Sequence, residues 1–243
     1  MANPVLSLRG VTKRFGGLVA VNGMDFDVAE REVVGLLGPN GSGKSTTLNL
    51  VSGALPLTSG TVSLWGSPIS GLPAQTITRK GVSRTFQLVR LLPSMNVREN
   101  VVAGAVFGHR RRWGHDAQEH AEHLLDKVGL GGKGDMSLRQ LTYIDTKRVE
   151  LARTLASDPK VLLLDEWLAG LNPTELQIGI TLIKSLRDEG RTIILVEHVM
   201  DAIRSLCDRC VVMAAGTKIA EGTPTQVLSD KEVIRAYLGD DDA

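Results

Sequence analysis

The sequence predicts an α/β protein with a mostly parallel sheet, antiparallel β strands at the N-terminus and an inserted helical segment. Three observations support this fold class. The first 40 residues contain three strand-like runs. From residue 160 onward, short apolar runs typical of strands alternate with helical patterns. Between about residue 90 and residue 157, helical patterns alternate with loops and show little strand signal.

The N-terminal strands read VLSLRGV, MDFDVA and EVVGLLG. The third is nearly all apolar, as expected of a strand that is buried on both faces. It leads into GPNGSGKST, after which STTLNLVSG predicts a helix and TVSLWG a further strand. In the helical insert, EHAEHLLDKVGL has the period of an amphipathic helix, with an apolar face made of Ala121, Leu124, Leu125 and Val128.

In the C-terminal part, KVLLLDE and RTIILVEH predict strands, and the helices PTELQIGITLIKSLRDEG and VMDAIRSL follow them. RCVVMAAGTKIAEG predicts a hairpin that turns at AAG, and a short helix follows it. We expect the acidic tail GDDDA to fray. The whole chain, 1–243, is thus expected to be one domain, with a core from 1–88 and 158–243 and a helical subdomain at 89–157.

Charge and apolar content exclude several classes of function. The 28 basic and 27 acidic residues give a net charge of +1, which argues against nucleic acid as a partner. No run of 18 apolar residues occurs, and the N-terminal MANPVLSLRG lacks the pattern of a secretion signal. We therefore expect a cytoplasmic protein that can still dock on membrane proteins.

Two local features have a simple structural interpretation. Cys207 and Cys210 form a C-x-x-C pair, and the second pair of ligands that zinc would need is absent from the sequence. Two half-buried thiols between a helix and a strand are the favoured interpretation, with a redox pair as the alternative. HRRRW at 109–113 is interpreted as a solvated loop, with a lipid-headgroup or partner contact as the alternative.

The segment GPNGSGKST fits the phosphate-binding pattern G-x-x-x-x-G-K-[ST] of P-loop NTPases, and it follows a buried strand and opens a helix as that pattern requires. Glycines allow backbone N–H groups to curl around an anion, and the helix N-terminus adds partial positive charge. Lys44 is expected to reach the β- and γ-phosphates and Ser45 to bind Mg²⁺. We therefore predict a nucleotide and Mg²⁺ as cofactors, and the family resemblance given below implies that the nucleotide is ATP. The expected binding residues are Gly38, Pro39, Asn40, Gly41, Ser42, Gly43, Lys44, Ser45 and Thr46.

A second motif is the aliphatic run VLLLDE at 161–166. A strand that ends in Asp165 delivers a carboxylate to the edge of the sheet where α/β proteins bind ligands. Asp165 is expected to complete the Mg²⁺ shell, and Glu166 to orient or deprotonate a water molecule.

With these motifs, five further segments occur in the order found in one family. Over essentially its whole length the chain resembles the nucleotide-binding subunit of ATP-binding cassette (ABC) transporters. The resemblance implies that Phe15, in TKRFGG, stacks on adenine and that His198, in LVEHVMD, contacts the γ-phosphate. It implies that Gln87, in RTFQ, joins the two subdomains and senses Mg²⁺ and the γ-phosphate. Without the resemblance, Phe15 would be taken as a core residue and His198 as structural.

LTYID at 141–145 matches the family's signature segment, which is usually LSGGQ. In the family, two subunits enclose ATP between the phosphate loop of one and the signature segment of the other. Thr142 keeps the hydroxyl and is expected to contact nucleotide, but Tyr143 and Ile144 replace the glycines and Asp145 replaces glutamine. Either Ile144 and the charge of Asp145 slow hydrolysis, or Asp145 caps the helix and Ile144 points away. Both interpretations stay open.

One more segment and one departure complete the comparison. AGLN at 169–172 matches the loop that crosses to the partner subunit, and Trp167 replaces the proline that usually follows the catalytic glutamate. Trp167 is expected to repack locally, and the sequence gives no inference about a chemical role for it.

In detail the chain looks most like the ATPases of branched-chain amino acid importers, through RTFQLVRLLPSMNVRENV, KRVELARTL and EGTPTQVLSDKEVIRAYLG. Lipid or lipopolysaccharide export ATPases, soluble ABC ATPases and a binding-only regulatory subunit are the alternatives. The implied partners are integral membrane permease subunits, an identical or different second ATPase subunit and, indirectly, a periplasmic substrate-binding protein. The implied location is the inner face of the cell membrane. The sequence does not indicate the transported substrate, because the substrate does not touch this subunit.

Overall fold

The computed structural model describes residues 4–238, which form two compact units. The first unit contains residues 4–74 and 168–238, and the second contains residues 75–167. The predicted division into a core and a helical subdomain, with boundaries near residues 88 and 158, stays a prediction. The acidic tail at 239–243, which was expected to fray, lies outside the described residues.

Residues 4–74 supply the N-terminal strands and the first helix. These are β1 (Leu6–Phe15), β2 (Leu18–Val28), β3 (Val33–Leu37), α1 (Lys44–Val51), β4 (Ser59–Leu64) and β5 (Ser67–Pro68). Four of the strands form an antiparallel sheet in the order β2–β1–β4–β5, which confirms the predicted N-terminal β structure. Every residue of β3 is buried, as its apolar sequence predicts.

The second unit combines two short parallel strands with helices. Its elements are α2 (Ala74–Arg79), β6 (Val82–Arg84), α3 (Val97–Phe107), α4 (Gly114–Lys127), α5 (Tyr143–Ala156) and β7 (Val161–Asp165). β6 and β7 pair in parallel, and the predicted apolar face of α4 is buried. The backbones of α3 and α5 approach closely, because a Cβ added to Gly104 would lie 2.1 Å from the carbonyl oxygen of Arg153.

In the rest of the first unit, helices and strands alternate as predicted. The elements are α6 (Pro173–Asp188), β8 (Thr192–Val196), α7 (Met200–Leu206), β9 (Arg209–Ala214), β10 (Thr217–Gly222), α8 (Pro224–Leu228) and α9 (Lys231–Leu238). β3 pairs in parallel with both β8 and β9. β10 pairs antiparallel with β9 through a two-residue turn at Ala215 and Gly216, both with positive φ, which confirms the predicted hairpin.

The two cysteines lie where the simple interpretation places them. Cys207 is the C-cap of α7 and Cys210 lies on β9, and both are free thiols that are buried rather than half-buried as expected. A Cβ added to Gly35 of β3 would lie 2.9 Å from the sulfur of Cys207 and 3.1 Å from that of Cys210. Both sulfurs therefore fill the space above a glycine in the central strand, between helix and sheet.

Two further sequence expectations concern exposed and apolar segments. The segment 109–113 is a mostly exposed loop, in which Arg110 pairs with Asp158 and Arg112 with Asp116, as the solvated-loop interpretation predicts. Across residues 4–238, the helices are too short or too polar to span a lipid bilayer.

Candidate functional site

The phosphate-loop segment runs from the end of β3 to the start of α1. Gly38, Gly41 and Gly43 have φ angles of 142°, 77° and 107°, which favour glycine. A Cβ added to Gly38 would lie 2.1 Å from the carbonyl oxygen of Met213, and one added to Gly43 would lie 2.5 Å from that of Ala20. The loop can therefore take this curled path only with glycine at these positions.

Lys44, the first residue of α1, folds back into the loop. Its Nζ donates to the carbonyl oxygens of Gly38 at 2.7 Å and Pro39 at 2.9 Å, and the side chain is buried. The hydroxyl of Ser42 is also buried, and its oxygen has no hydrogen-bond partner among residues 4–238. A buried ammonium, a buried hydroxyl donor and a helix N-terminus together form a site suited to an anion.

His198 and Glu197 follow β8 at the same edge of the sheet as the phosphate loop, because β3 and β8 are parallel neighbours. His198 is exposed, whereas Glu197 is buried. The Oε1 atom of Glu197 accepts a hydrogen bond of 2.6 Å from the backbone nitrogen of Leu168. Sequence reasoning missed this role of Glu197, which anchors the start of the AGLN loop beside His198.

Phe15 lies at the end of β1, and its side chain is 45% exposed. The Nζ atom of Lys13 lies 4.9 Å from the centroid of its ring. Phe15 is therefore not a core residue, so the alternative interpretation of this residue is wrong. Its exposed ring is compatible with stacking on a base, which stays a prediction.

In the second unit, Asp165 ends β7 and forms a buried ion pair with Arg84 at the end of β6. Nη2 of Arg84 lies 2.9 Å from Oδ2 of Asp165, and the two side chains are 7% and 3% exposed. Burial lowers the pKa of Arg84 below its ordinary value, and the Asp165 carboxylate offsets part of that effect. Sequence reasoning placed Asp165 at the strand end but missed its counter-ion.

Gln87 and Glu166 are in direct contact within the same unit. Nε2 of Gln87 donates to Oε2 of Glu166 at 2.8 Å. Glu166 has a φ angle of 50°, which lies in the left-handed region and is strained for a residue with a side chain. The structure thus places the Gln87–Glu166 contact directly after Asp165 at the end of β7, and the roles of the three residues stay predictions.

Lys147 of α5 holds the strained turn at Glu166. Its Nζ donates to the carbonyl oxygens of Glu166 at 3.3 Å and Trp167 at 3.1 Å. In return, the indole nitrogen of Trp167 donates to the carbonyl oxygen of Lys147 at 3.2 Å. The local repacking expected of Trp167 is therefore a reciprocal contact with α5. A lysine on the buried face of a predicted helix is the signal that could have identified Lys147.

Glu150, one turn further along α5, holds the segment that carries Gln87. Its carboxylate accepts from the backbone nitrogens of Phe86 at 3.3 Å and Arg90 at 2.9 Å. Burial raises the pKa of Glu150, and these backbone donors oppose the shift. Gln87 lies between the two anchored residues, so α5 fixes the position of the glutamine as well as that of the Glu166 turn.

The signature-like segment forms the N-terminus of α5. Thr142 is the N-cap, since its hydroxyl oxygen accepts from the backbone nitrogen of Asp145 at 3.2 Å. The expectation that Asp145 could be the cap is therefore wrong, and the helix begins at Tyr143, three residues earlier than a cap at Asp145 would give. The carboxylate of Asp145 instead lies 2.8 Å from Nζ of Lys133. Ile144 is half-buried and has a helical backbone, so it carries no left-handed strain.

Two family models match the chain. The model described as "ABC transporter" matches residues 21–169, and one described as "Branched-chain amino acid ATP-binding cassette transporter" matches residues 217–243. Among curated relatives, the high-affinity branched-chain amino acid transport ATP-binding protein BraF of Pseudomonas aeruginosa is 41% identical over 257 residues. That alignment covers 99% of this chain and 100% of BraF.

Solved structures are similar over nearly the whole chain. The ADP conformation of MJ1267, an ATP-binding cassette of an ABC transporter, has a TM-score of 0.89 and 29% identity and covers 98% of this chain and 100% of its own. A dimeric post-hydrolysis state of the ATP-binding cassette MJ0796, bound to ADP and Pi, has a TM-score of 0.83 and 26% identity. It covers 90% of this chain and 98% of its own.

The Arg84–Asp165 pair yields a prediction about stability. Arg84→Met removes the guanidinium that pairs with the buried carboxylate of Asp165 and should lower the free energy of unfolding by about 3 kcal/mol. Urea denaturation of the purified chain measures this loss. The matched control is Arg9→Met, which breaks the pair with Asp27 at 2.6 Å, where the side chains are 55% and 47% exposed. That change should cost less than about 1 kcal/mol. Equal losses in the two variants would contradict the prediction.

Proposed function

This chain belongs to the ABC transporter family, an ATP-hydrolysing family, and we propose that it energises a membrane importer of branched-chain or other amino acids. We choose amino acids as the cargo because the C-terminal segment 217–243 matches a family model described as branched-chain amino acid ATP-binding cassette transporter. Full-length similarity to BraF supports the same choice. A lipid or lipopolysaccharide export ATPase and a soluble ABC ATPase are the alternatives.

Nucleotide binding is proposed to rest on the first unit. The curled loop, Lys44 and the hydroxyl of Ser42 would bind the phosphates, the ring of Phe15 would stack on the adenine, and His198 would contact the γ-phosphate. Lys44 already has its ammonium at the carbonyl groups of the loop, so it needs only a local shift to reach an anion.

A magnesium ion fits the oxygen donors that the predicted residues offer. The hydroxyl of Ser45, the amide oxygen of Gln87 and the carboxylate of Asp165 are hard ligands of the kind Mg²⁺ prefers. When bound, Mg²⁺ would neutralise charge on the phosphates. The carboxylate of Asp165 is paired with Arg84, so the ion would compete with a guanidinium for it.

Glu166 is the proposed general base. Its carboxylate would accept a proton from the water that attacks the γ-phosphorus, and Gln87 would orient that carboxylate through the observed hydrogen bond. The strained turn at Glu166, held by Lys147, places the carboxylate just beyond the strand end.

The proposed assembly has two ATPase subunits, identical or different, on the inner face of the cell membrane. Thr142 and the AGLN loop would contact the nucleotide bound to the partner ATPase. Integral permease subunits would complete the importer, together with a periplasmic binding protein that acts indirectly. The dimeric structure of MJ0796 supports the pairing of two cassettes.

The proposed function is tested by two variants in vesicles that contain the permease subunits. Lys44→Ala should abolish tight ATP binding, because the phosphates lose their main cationic partner.

Glu166→Gln should keep ATP binding, stop hydrolysis and amino acid uptake, and trap an ATP-bound dimer, because an amide cannot accept the proton. Glu30→Gln, the same change at an exposed residue, is the control. Unchanged hydrolysis in Glu166→Gln would remove the residue from this role, and outward transport of lipid would favour the export alternative.

The second unit has an apolar groove that suits a membrane partner. The groove encloses about 450 Å³ beside α3 and α4, and its apolar lining includes Met95, Val102, Val106 and Phe107. The side chain of Phe107 is 66% exposed, and Arg98 and Glu99 add opposite charges to the lining. A short amphipathic helix fits such a surface, with its apolar face in the groove. The groove includes residues 94, 95, 98 and 99 around the start of α3, and we propose that a permease helix docks in it.

The docking proposal predicts the effect of a charge in the groove. Phe107→Asp should weaken assembly with the permease subunits at least tenfold and leave ATP binding by the isolated chain unchanged, since the partner helix would bury an unpaired carboxylate. Co-purification from detergent measures assembly. Trp65→Asp, at an exposed aromatic residue of the first unit, is the control. Permease crosslinks that map only to the hairpin at 210–222 would contradict the proposal.

Two of the possible obstacles in LTYID are compensated. The charge of Asp145 is compensated by Lys133, and the backbone of Ile144 is helical. The side-chain bulk of Ile144 and of the exposed Tyr143 remains, and the hypothesis is that Ile144 hinders the approach to a partner's phosphate. If the partner is a different ATPase, the two composite sites are unequal, and hydrolysis is faster for the ATP held by Lys44.

Removal of that bulk tests the unequal-site hypothesis. Ile144→Gly should raise the steady-state ATPase rate of the isolated chain about tenfold, which corresponds to one recovered hydrogen bond to a charged group. The rate is measured at saturating Mg-ATP. Ile144→Leu keeps the volume and should leave the rate unchanged. Equal rates for the wild type and the glycine variant would show that Ile144 does not obstruct the phosphate.

A further inference from the structure

The C-terminal helix α9 contacts the phosphate loop through a hydrogen bond. This bond is not part of the nucleotide-binding and catalytic roles proposed above. Tyr237 lies in the last turn of α9, and its hydroxyl oxygen accepts from the backbone nitrogen of Gly38 at 2.8 Å. Gly38 is buried and is the first residue of the loop. Both residues belong to the first unit, although 199 positions separate them in sequence.

The position of Gly38 explains why its N–H needs this partner. The pairing of β3 with β9 ends at Leu37, which lies opposite Val212. Gly38 then leaves the extended path with a φ angle of 142°. A buried backbone N–H without an acceptor is unfavourable, because it has lost its hydrogen bond to water. The hydroxyl of Tyr237 supplies an acceptor at the point where the strand ends.

Gly38 is also held through its other atoms. Its carbonyl oxygen accepts from Nζ of Lys44 at 2.7 Å, and its Cα faces the carbonyl oxygen of Met213 so closely that no Cβ fits. The N–H, the Cα and the C=O of one residue thus contact α9, β9 and the lysine of the phosphate loop. A shift of α9 would therefore move Gly38 and, with it, the carbonyl oxygen that binds Nζ of Lys44.

The chemistry of Tyr237 suits a place beside an incoming anion. Burial raises the pKa of its hydroxyl above the ordinary value of 10.0, and the hydrogen bond from Gly38 opposes that shift. The hydroxyl is therefore neutral at physiological pH. A neutral oxygen can fix the backbone of the loop without repelling phosphate, whereas a carboxylate at the same place would repel it.

We propose that Tyr237 is a positioning residue for nucleotide binding, whose hydroxyl fixes Gly38 and so preorganises the phosphate loop and Lys44. This inference rests on the ATP-binding role proposed for the loop. It gives the C-terminal helix a part in the nucleotide site. Because coupling between two sites is reciprocal, bound nucleotide also stabilises the docked position of α9.

The test uses Tyr237→Phe, which removes only the hydroxyl, in the full chain. We expect the amide of Gly38 to exchange faster with deuterium than in the wild type. We expect the Kd for Mg-ADP and the KM for ATP to rise about two- to tenfold, the range for one neutral hydrogen bond, with kcat changed less than twofold. Mg-ADP should also protect the amides of α9 in the wild type, and protect them less in the variant.

Ile234→Ala, at an exposed residue of the same helix, is the matched control and should keep wild-type affinity and Gly38 exchange. An equal loss of affinity in this control would assign the effect to α9 as a whole and overturn the role of the hydroxyl. Unchanged exchange at Gly38 in Tyr237→Phe, or faster exchange with unchanged affinity, would also overturn it. Deuterium exchange at Gly38 is measured without nucleotide, so it tests the Tyr237 contact by itself. A wild-type chain that binds no nucleotide would contradict the proposed function but not that contact.

Discussion

The parallel pairing of β3 with strands on both sides is the constraint on which the site of the first unit depends. Since every residue of β3 is buried, the strand cannot shift in register without exposing apolar side chains. The fixed strand end sets where Gly38 must turn and where the hydroxyl of Tyr237 meets it. The same pairing brings His198, after β8, to the edge where the phosphate loop begins. The same strand end also positions the N-terminus of α1 and Lys44, a combination that suits an anion.

The second unit positions its polar groups in a different way, through α5 and buried charges. Lys147 and Glu150 lie on the buried side of this helix, where one donates to the Glu166 turn and the other accepts from the segment around Gln87. Thr142 caps the same helix. One helix therefore sets the positions of the proposed base, of the glutamine that contacts it and of the residue that would face a partner's nucleotide. A displacement of α5 would move all three together.

The parts of the site that the sequence predicts are those whose signal is local. The phosphate loop has fixed spacings and defined flanking elements, and Asp165 and Glu166 follow directly from an apolar strand. Lys147, Glu150 and Tyr237 act on residues far away in sequence, and no spacing pattern indicates their partners. The helix start at Tyr143 was misplaced for a related reason. Both Thr142 and Asp145 are residue types that cap helices, and only the backbone geometry shows which one does.

The left-handed backbone of Glu166 has a consequence for how this chain responds to selection. A non-glycine residue in that region costs on the order of 1–3 kcal/mol, and glycine would relieve it. Glu166→Gly would therefore be favoured by any laboratory screen that rewards folding or solubility alone, although it removes the proposed base. Thermostable variants obtained in such a screen would be enriched in inactive chains unless ATP turnover were selected at the same time. At this position, the residue that would favour stability differs from the residue that activity is proposed to require.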